Sequence, residues 1–281
     1  MVDIINTMTK IQYIKISRPR FWVYLLGPYL IGLAAADPRL FDLRYLLLFA
    51  YFTFPANIFI YGINDINDYD TDILNPKKQS YEKVLSQSSH VKLTRLILLS
   101  NIPFVLMSLS FGLFAAMPII IFIFLGYFYS AYPIRAKIRP FVDTIFNALY
   151  AMPGVLGYSV VTGNMPDIVL ILAAVFWCMA MHAYSAVPDI EADRKAGLQT
   201  IATKLGFERS LIFCSICYLL SGFLSVHWLG WFSFVAVIYL FLMGYSYNRQ
   251  SGGVFSVYKL FPYINMLVGM LLFFWVSWSK L

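Results

Sequence analysis

The sequence predicts an all-α fold: a polytopic membrane bundle forming one domain over residues 1–281. Three observations carry that expectation. Of the 281 residues, 60% are hydrophobic and only 12% are Asp, Glu, Lys or Arg, against roughly 45–50% apolar and about 25% charged in soluble domains. Apolar runs of about 17–22 residues recur from Phe21 to Trp278, each long enough to cross about 30 Å of hydrocarbon as a helix. Basic residues crowd into alternate connections between these runs, as they do on the cytoplasmic side of membrane proteins.

Reading the runs against their breakers places spans at 21–36, 43–62, 93–115, 117–133, 141–162, 167–187, 211–229, 231–247 and 258–278, nine helices in all. Spans three and four are divided only at Ala115-Ala116-Met117-Pro118, where proline can open one helix and interrupt the one before it. Met1 to Arg20 carries charge throughout, so no cleavable signal peptide is expected and the first span is retained.

Eighteen of the 21 basic residues fall on one side of this arrangement; Arg39, Arg44 and Lys280 are the remainder. The asymmetry predicts a cytoplasmic N-terminus and, after nine spans, an external C-terminus. The net charge of +7 therefore reports topology, and no nucleic-acid partner is expected. Aromatic content of 18% excludes a disordered chain. Cys178, Cys214 and Cys217 lie within apolar runs and read as small core residues, since the Cys214/Cys217 C-x-x-C has no second pair.

Two acidic clusters follow spans two and six, both on the cytoplasmic side. The first reads Asn64-Asp65-Ile66-Asn67-Asp68-Tyr69-Asp70-Thr71-Asp72. On a continuing helix, 100° per residue gathers Asn64, Asp65, Asp68 and Asp72 within about a 100° arc, with Asp70 turned away. The second reads Asp189-Ile190-Glu191-Ala192-Asp193, with Asp189 and Asp193 on one face. Both contain D-x-x-x-D, four helices apart, as in an internal repeat whose halves face one cavity. Like charges stacked at a membrane boundary call for a neutralising cation. Oxygen donors without His or Cys suit Mg²⁺, which is commonly shared with substrate phosphates. Lys77, Lys78, Arg135, Lys137, Arg139, Arg194 and Lys195 stand in the neighbouring loops as candidate diphosphate contacts.

Asn64-Asp65-x-x-Asp68-x-x-x-Asp72 together with Asp189-x-x-x-Asp193, on a chain of nine spans, resembles the UbiA superfamily of membrane prenyltransferases. The resemblance covers nearly the whole chain. It implies that Asn64, Asp65, Asp68, Asp72, Asp189 and Asp193 bind Mg²⁺ and an isoprenyl diphosphate, with Asp68, Asp72, Asp189 and Asp193 catalytic. It also implies an integral protein of a bacterial or archaeal cell membrane with its active site facing the cytoplasm. Ser17-Arg18-Pro19-Arg20-Phe21-Trp22, Asn75-Pro76-Lys77-Lys78, Tyr129-Ser130-Ala131-Tyr132-Pro133-Ile134-Arg135-Ala136-Lys137 and Pro188-Asp189-Ile190-Glu191-Ala192-Asp193-Arg194-Lys195-Ala196-Gly197 are similar to the lycopene elongase branch. That branch adds five-carbon units to a carotenoid, so the expected partners are dimethylallyl diphosphate, a carotenoid acceptor and the bilayer. Arg18, Lys77, Lys78, Arg135, Lys137 and Arg194 are the basic residues expected at the diphosphate.

Such a reaction leaves an allylic cation that needs a dry aromatic wall. Tyr61, Tyr132 and Tyr184 stand near the acidic ends, Tyr132 foremost. His182 and Asn57 lie two turns deeper in their spans, where a polar side chain either bonds between helices or has a function. An aromatic, quinone-precursor, chlorophyllide or glycerol phosphate acceptor would use the same metal site. An ion-coupled carrier is the alternative from another class.

Overall fold

A computed structural model describes residues 10–36, 42–69 and 87–279 of the chain, and among these every regular element is helical. A short helix, α1 (Lys10–Ile16), is followed by a turn at Pro19–Phe21 and by α2 (Val23–Ala36). The second run is two helices, α3 (Leu43–Tyr51) and α4 (Phe54–Asn67). Asn57 explains the join, since its Nδ2 donates to the carbonyl oxygens of Phe52 and Thr53 at the break. Asn57 thus serves its own helix.

Next come α5 (Gln87–Ser110) and α6 (Leu113–Ser130). The break between them falls at Gly112, not at the expected Ala115–Pro118. Gly112 takes φ 96°, which glycine adopts without steric penalty, whereas Pro118 is accommodated inside α6. The fifth run is again divided, into α7 (Val142–Phe146), a 3₁₀ turn at Asn147–Tyr150, and α8 (Met152–Thr162), which has proline in its first turn. Then follow α9 (Ile168–Ala186), α10 (Ile190–Lys195), α11 (Ile201–Leu205), α12 (Phe207–Leu229), α13 (Ala236–Tyr258) and α14 (Phe261–Trp278).

Seven helical stretches among the described residues are long and apolar enough to span a membrane. The expectation of nine is matched in class rather than in number, for two reasons. Helix α2 has only 14 residues. The stretch Phe207–Tyr258 counts once although its 52 residues would be about 78 Å long as one helix; it turns at Gly230–Val235, and α12 packs along α13.

Helix α2 packs against α8 on one side and α14 on another, while α9 lies along α12. Two apolar cores result. One is built from residues between Ile16 and Cys178, the other from residues between Ala180 and Val268, and Tyr150 and Trp177 pack against both. Phe223, Phe241, Leu99 and Leu113 are exposed on the outside, as lipid-facing side chains should be.

The α2–α8 contact depends on glycine. A Cβ on Gly32 would collide with the Gly154 carbonyl oxygen, and one on Gly157 would come within 2.5 Å of the Tyr29 carbonyl oxygen. Because both obstacles are backbone, Gly32→Ala is expected to force the helices apart at a cost of about 1–3 kcal/mol. A lower melting temperature in detergent would show it, and an unchanged one would refute the close approach.

Candidate active site

The end of α4 presents the first acidic cluster. Asn64 and Asp65 lie in its last turn and Asp68 caps it, all three half-buried. The backbone N–H of Asp68 donates to the Asn64 carbonyl at 2.9 Å, so the helix still sets the spacing of these side chains. Asp70, Asp72, Lys77 and Lys78 lie outside the described residues.

Basic side chains converge on this cluster from two directions. Arg18, preceding the Pro19–Phe21 turn, places Nη2 3.5 Å from Asp65 Oδ1. Its guanidinium also sits 4.7 Å from the centre of the Tyr61 ring, one turn before Asp65. From the segment after α6, Lys137 donates to Asp68 Oδ1 and reaches Asn64 Oδ1 at 3.5 Å, while Arg135 Nη2 is 3.7 Å from Asp68 Oδ1. Ser130, the last residue of α6, donates to Asn64 Oδ1 at 2.7 Å. Burial pushes the Lys137 ammonium down to about 8, with Asp65 pulling the other way.

Arg18 and Arg135 both adopt positive φ, 50° and 43°. Non-glycine residues rarely hold this conformation unless their surroundings enforce it. Arg18 so placed turns its guanidinium to Asp65, and Arg135 turns its own to Asp68, two carboxylates of the same cluster. Arg135 Nη1 also donates to the Tyr132 hydroxyl at 2.8 Å, and its Nε is buried without a hydrogen-bond partner. An orphaned cationic donor beside carboxylates suits a ligand that brings its own anionic oxygens.

Asp189 ends the 3₁₀ turn Val187–Asp189 and Asp193 lies in α10. Asp193 feels the charge of Asp189, and Tyr258 feels both Asp189 and Arg20. The end of α6 adjoins the first cluster, where Ser130 bonds Asn64, and its neighbour Tyr129 interacts electrostatically with Asp193 of the second. Arg194 turns elsewhere, donating to the Thr203 carbonyl at 3.3 Å. Arg139 donates to the Pro133 carbonyl at 3.2 Å.

Among the described residues no three His, Cys, Asp or Glu side chains gather into a self-sufficient metal site. Mg²⁺ does not need one, since it keeps several waters and binds through one or two carboxylates plus substrate phosphates. Asn64, Asp65 and Asp68 at the end of α4, and Asp189 and Asp193 at the end of α9 and in α10, offer oxygen donors of that kind.

Aromatic rings continue inward from the acidic end. Phe21 lies 6.1 Å from Tyr61 and 5.9 Å from Tyr24, and Tyr24 is edge-on to Tyr150 at 6.3 Å. Tyr61 and Tyr150 are joined by a hydrogen bond. Of the three expected rings, Tyr61 belongs to this wall and Tyr132 is an exposed partner of Arg135. Tyr184 is wholly buried, bonded to Ser246 at 2.8 Å and packed on Phe261, so it serves the second core.

Asp143 is a residue that the sequence reading passed over. It has no exposure at all, accepting from the Thr144 and Ile201 backbone N–H groups at 2.8 and 2.7 Å, and His182 Nε2 lies 3.8 Å from its Oδ2. A lone Asp inside an expected apolar span was the available signal.

Fold and site together define an integral membrane protein with an acidic donor set and a basic cluster at one end of its bundle. The UbiA prenyltransferase family model matches residues 25–252. A lycopene elongase/hydratase of Haloarcula japonica is 38% identical over 275 residues, covering 95% of this chain and 92% of that protein. One from Corynebacterium glutamicum is 32% identical, covering 93% and 95%. A UbiA homologue from Archaeoglobus fulgidus, solved with DMAPP and Mg²⁺, superposes with a TM-score of 0.77 at 23% identity, covering 94% of this chain and 97% of that one. The chain belongs to the UbiA prenyltransferase family and is a prenyltransferase. That membership decides against the ion-coupled carrier.

Proposed function

We propose that this enzyme moves a dimethylallyl group from its diphosphate onto lycopene or a related carotenoid, with Mg²⁺ as cofactor and the active site facing the cytoplasm. The observation carrying the acceptor is identity of 38% spread over 95% of the chain with a lycopene elongase/hydratase. The donor reading rests on the acidic and basic groups at the end of α4, and the A. fulgidus homologue was solved with DMAPP and Mg²⁺.

Asn64, Asp65, Asp68, Asp189 and Asp193 would hold the metal, which supplies charge neutralisation at the departing diphosphate. The chain's own cations supply the rest. Lys137 and Arg135 neutralise Asp68 before the donor arrives, and both can pass to phosphate oxygens as the allylic C–O bond ionises, where fixed donors act most strongly in a dry site. Arg135 Nε has no partner to give up first. Phe21, Tyr24, Tyr61 and Tyr150 then enclose the allylic cation, excluding water and offering π faces. The terminal double bond of the acceptor attacks that cation.

The deciding experiment is mass spectrometry of pigments from lycopene-accumulating cells that express this protein, with Asp68→Asn as control. Products heavier by one or two five-carbon units, absent from the control, are expected. Unchanged lycopene beside membrane-inserted protein would overturn the acceptor and leave the diphosphate site to be tested with aromatic acceptors.

A further inference from the structure

We infer that His182, oriented by Asp143, takes the proton that ends the reaction; the inference rests on the acceptor reading above. When the terminal double bond of the acceptor attacks the allylic cation, the positive charge moves to an acceptor carbon. That charge must be discharged. Either an adjacent C–H bond breaks, its electron pair forming an alkene, or a water oxygen bonds to the cation and loses a proton. Both routes release one proton inside an apolar bundle, but only the alkene route must break a C–H bond and so needs a neutral base beside the cation, deeper than the diphosphate; the oxonium of the alcohol route can give its proton to water.

His182 meets those requirements by position. It lies on α9 seven residues before Asp189, two helical turns or about 10 Å along the axis toward the membrane interior. That spacing leaves room for a five-carbon unit between the carboxylates and the imidazole. Its side chain keeps 14% of its surface accessible, and its ring stands edge-on to Tyr129 at 6.0 Å. Tyr129 in turn lies near Asp193 and so adjoins the acidic end. The other two histidines, His90 and His227, lie near the ends of α5 and α12, the latter in the last turn of its helix.

Asp143 accounts for the chemistry. A fully buried carboxylate is costly unless hydrogen bonds and a counter-charge compensate it. Two backbone N–H groups from different parts of the chain hold it rigidly, and its Oδ2 faces His182 Nε2. A carboxylate 3.8 Å from one ring nitrogen favours the proton on that nitrogen, leaving the lone pair on the other, and stabilises the imidazolium once formed. The proton therefore goes to Nδ1, the charge is shared with Asp143, and the proton passes to water when product leaves. Asp143 is a positioning residue in this scheme.

The test compares wild type with His182→Gln and Asp143→Asn in the lycopene assay, measuring diphosphate release and the ratio of alkene to alcohol products. His182→Gln keeps the size and polarity of the side chain but removes the base. The expected result is diphosphate release within about threefold of wild type with the alkene-to-alcohol ratio lowered at least fivefold, and a smaller lowering in Asp143→Asn. An unchanged ratio in either folded variant overturns the proposal, whatever happens to the rate. Loss of both variants from the membrane also overturns it, because the pair would then serve the frame. If wild type forms no five-carbon adduct, the acceptor reading fails first and this inference falls with it; an adduct with an unaltered ratio sinks this inference alone.

Discussion

Asp68→Asn is expected to lower prenyl transfer by about 10²–10³-fold or more, the loss seen when one preorganised electrostatic group is removed from a dry site. The variant should remain folded. Asparagine keeps the shape of the side chain and an Oδ1 that can still accept from Lys137, while Arg135 stays near Tyr132 through its own hydrogen bond. What disappears is one negative charge at the point where two cations meet α4. Initial rates with labelled donor, alongside size-exclusion behaviour in detergent, separate the two effects. Near-normal turnover would remove Asp68 from the metal-binding set; lost folding would show that its charge holds Arg135 and Lys137 in place before any substrate arrives. Asp189→Asn should match it in activity, since the second D-x-x-x-D cluster is proposed to hold the same metal.

Several features of this site were legible in the chain because they are local. The spacing of Asn64, Asp65 and Asp68 needs only helical geometry, and α4 does run to Asn67 with Asp68 as its cap. Lys137 and Arg135 could be named because they follow the fourth apolar run in one of the basic connections that neighbour the acidic clusters. Their bond to α4 could not be read, since it spans roughly seventy residues of sequence. Arg194 shows the opposite limit: its position in the motif is suggestive, yet the turn into α11 offers it the Thr203 carbonyl. The helix break at Gly112 was misplaced because Pro118 is the louder signal, although glycine at positive φ ends the helix. Asp143, although a lone acid in an expected apolar span, gave no sign of its partners. It looks like a solvated residue at the start of a helix until the fold brings the Ile201 N–H and His182 to it from 58 and 39 residues away.

Lys137→Met is expected to impair both binding and chemistry, and a double variant separates its two roles. The ammonium is largely buried, 14% accessible, and bridges Asn64 and Asp68. Its removal leaves Asp68 beside Arg135 at 3.7 Å, so the single variant should lose about 1–3 kcal/mol of stability, the cost of taking a hydrogen-bond donor from a largely buried carboxylate. Methionine fills much of the same volume, which keeps packing out of the comparison. Adding Asp68→Asn replaces that carboxylate by a neutral amide that does not need the ammonium, and the double variant should regain part of that stability. Activity should not follow. With neither the carboxylate nor the ammonium, diphosphate departure loses both of its compensating groups, and transfer should stay at least about 10²-fold below wild type. Melting temperature and labelled-donor rates on the same four proteins complete the cycle. A double variant as active as Asp68→Asn alone would mean that Lys137 only balances Asp68; one that is slower still, with stability recovered, places its charge on the leaving group.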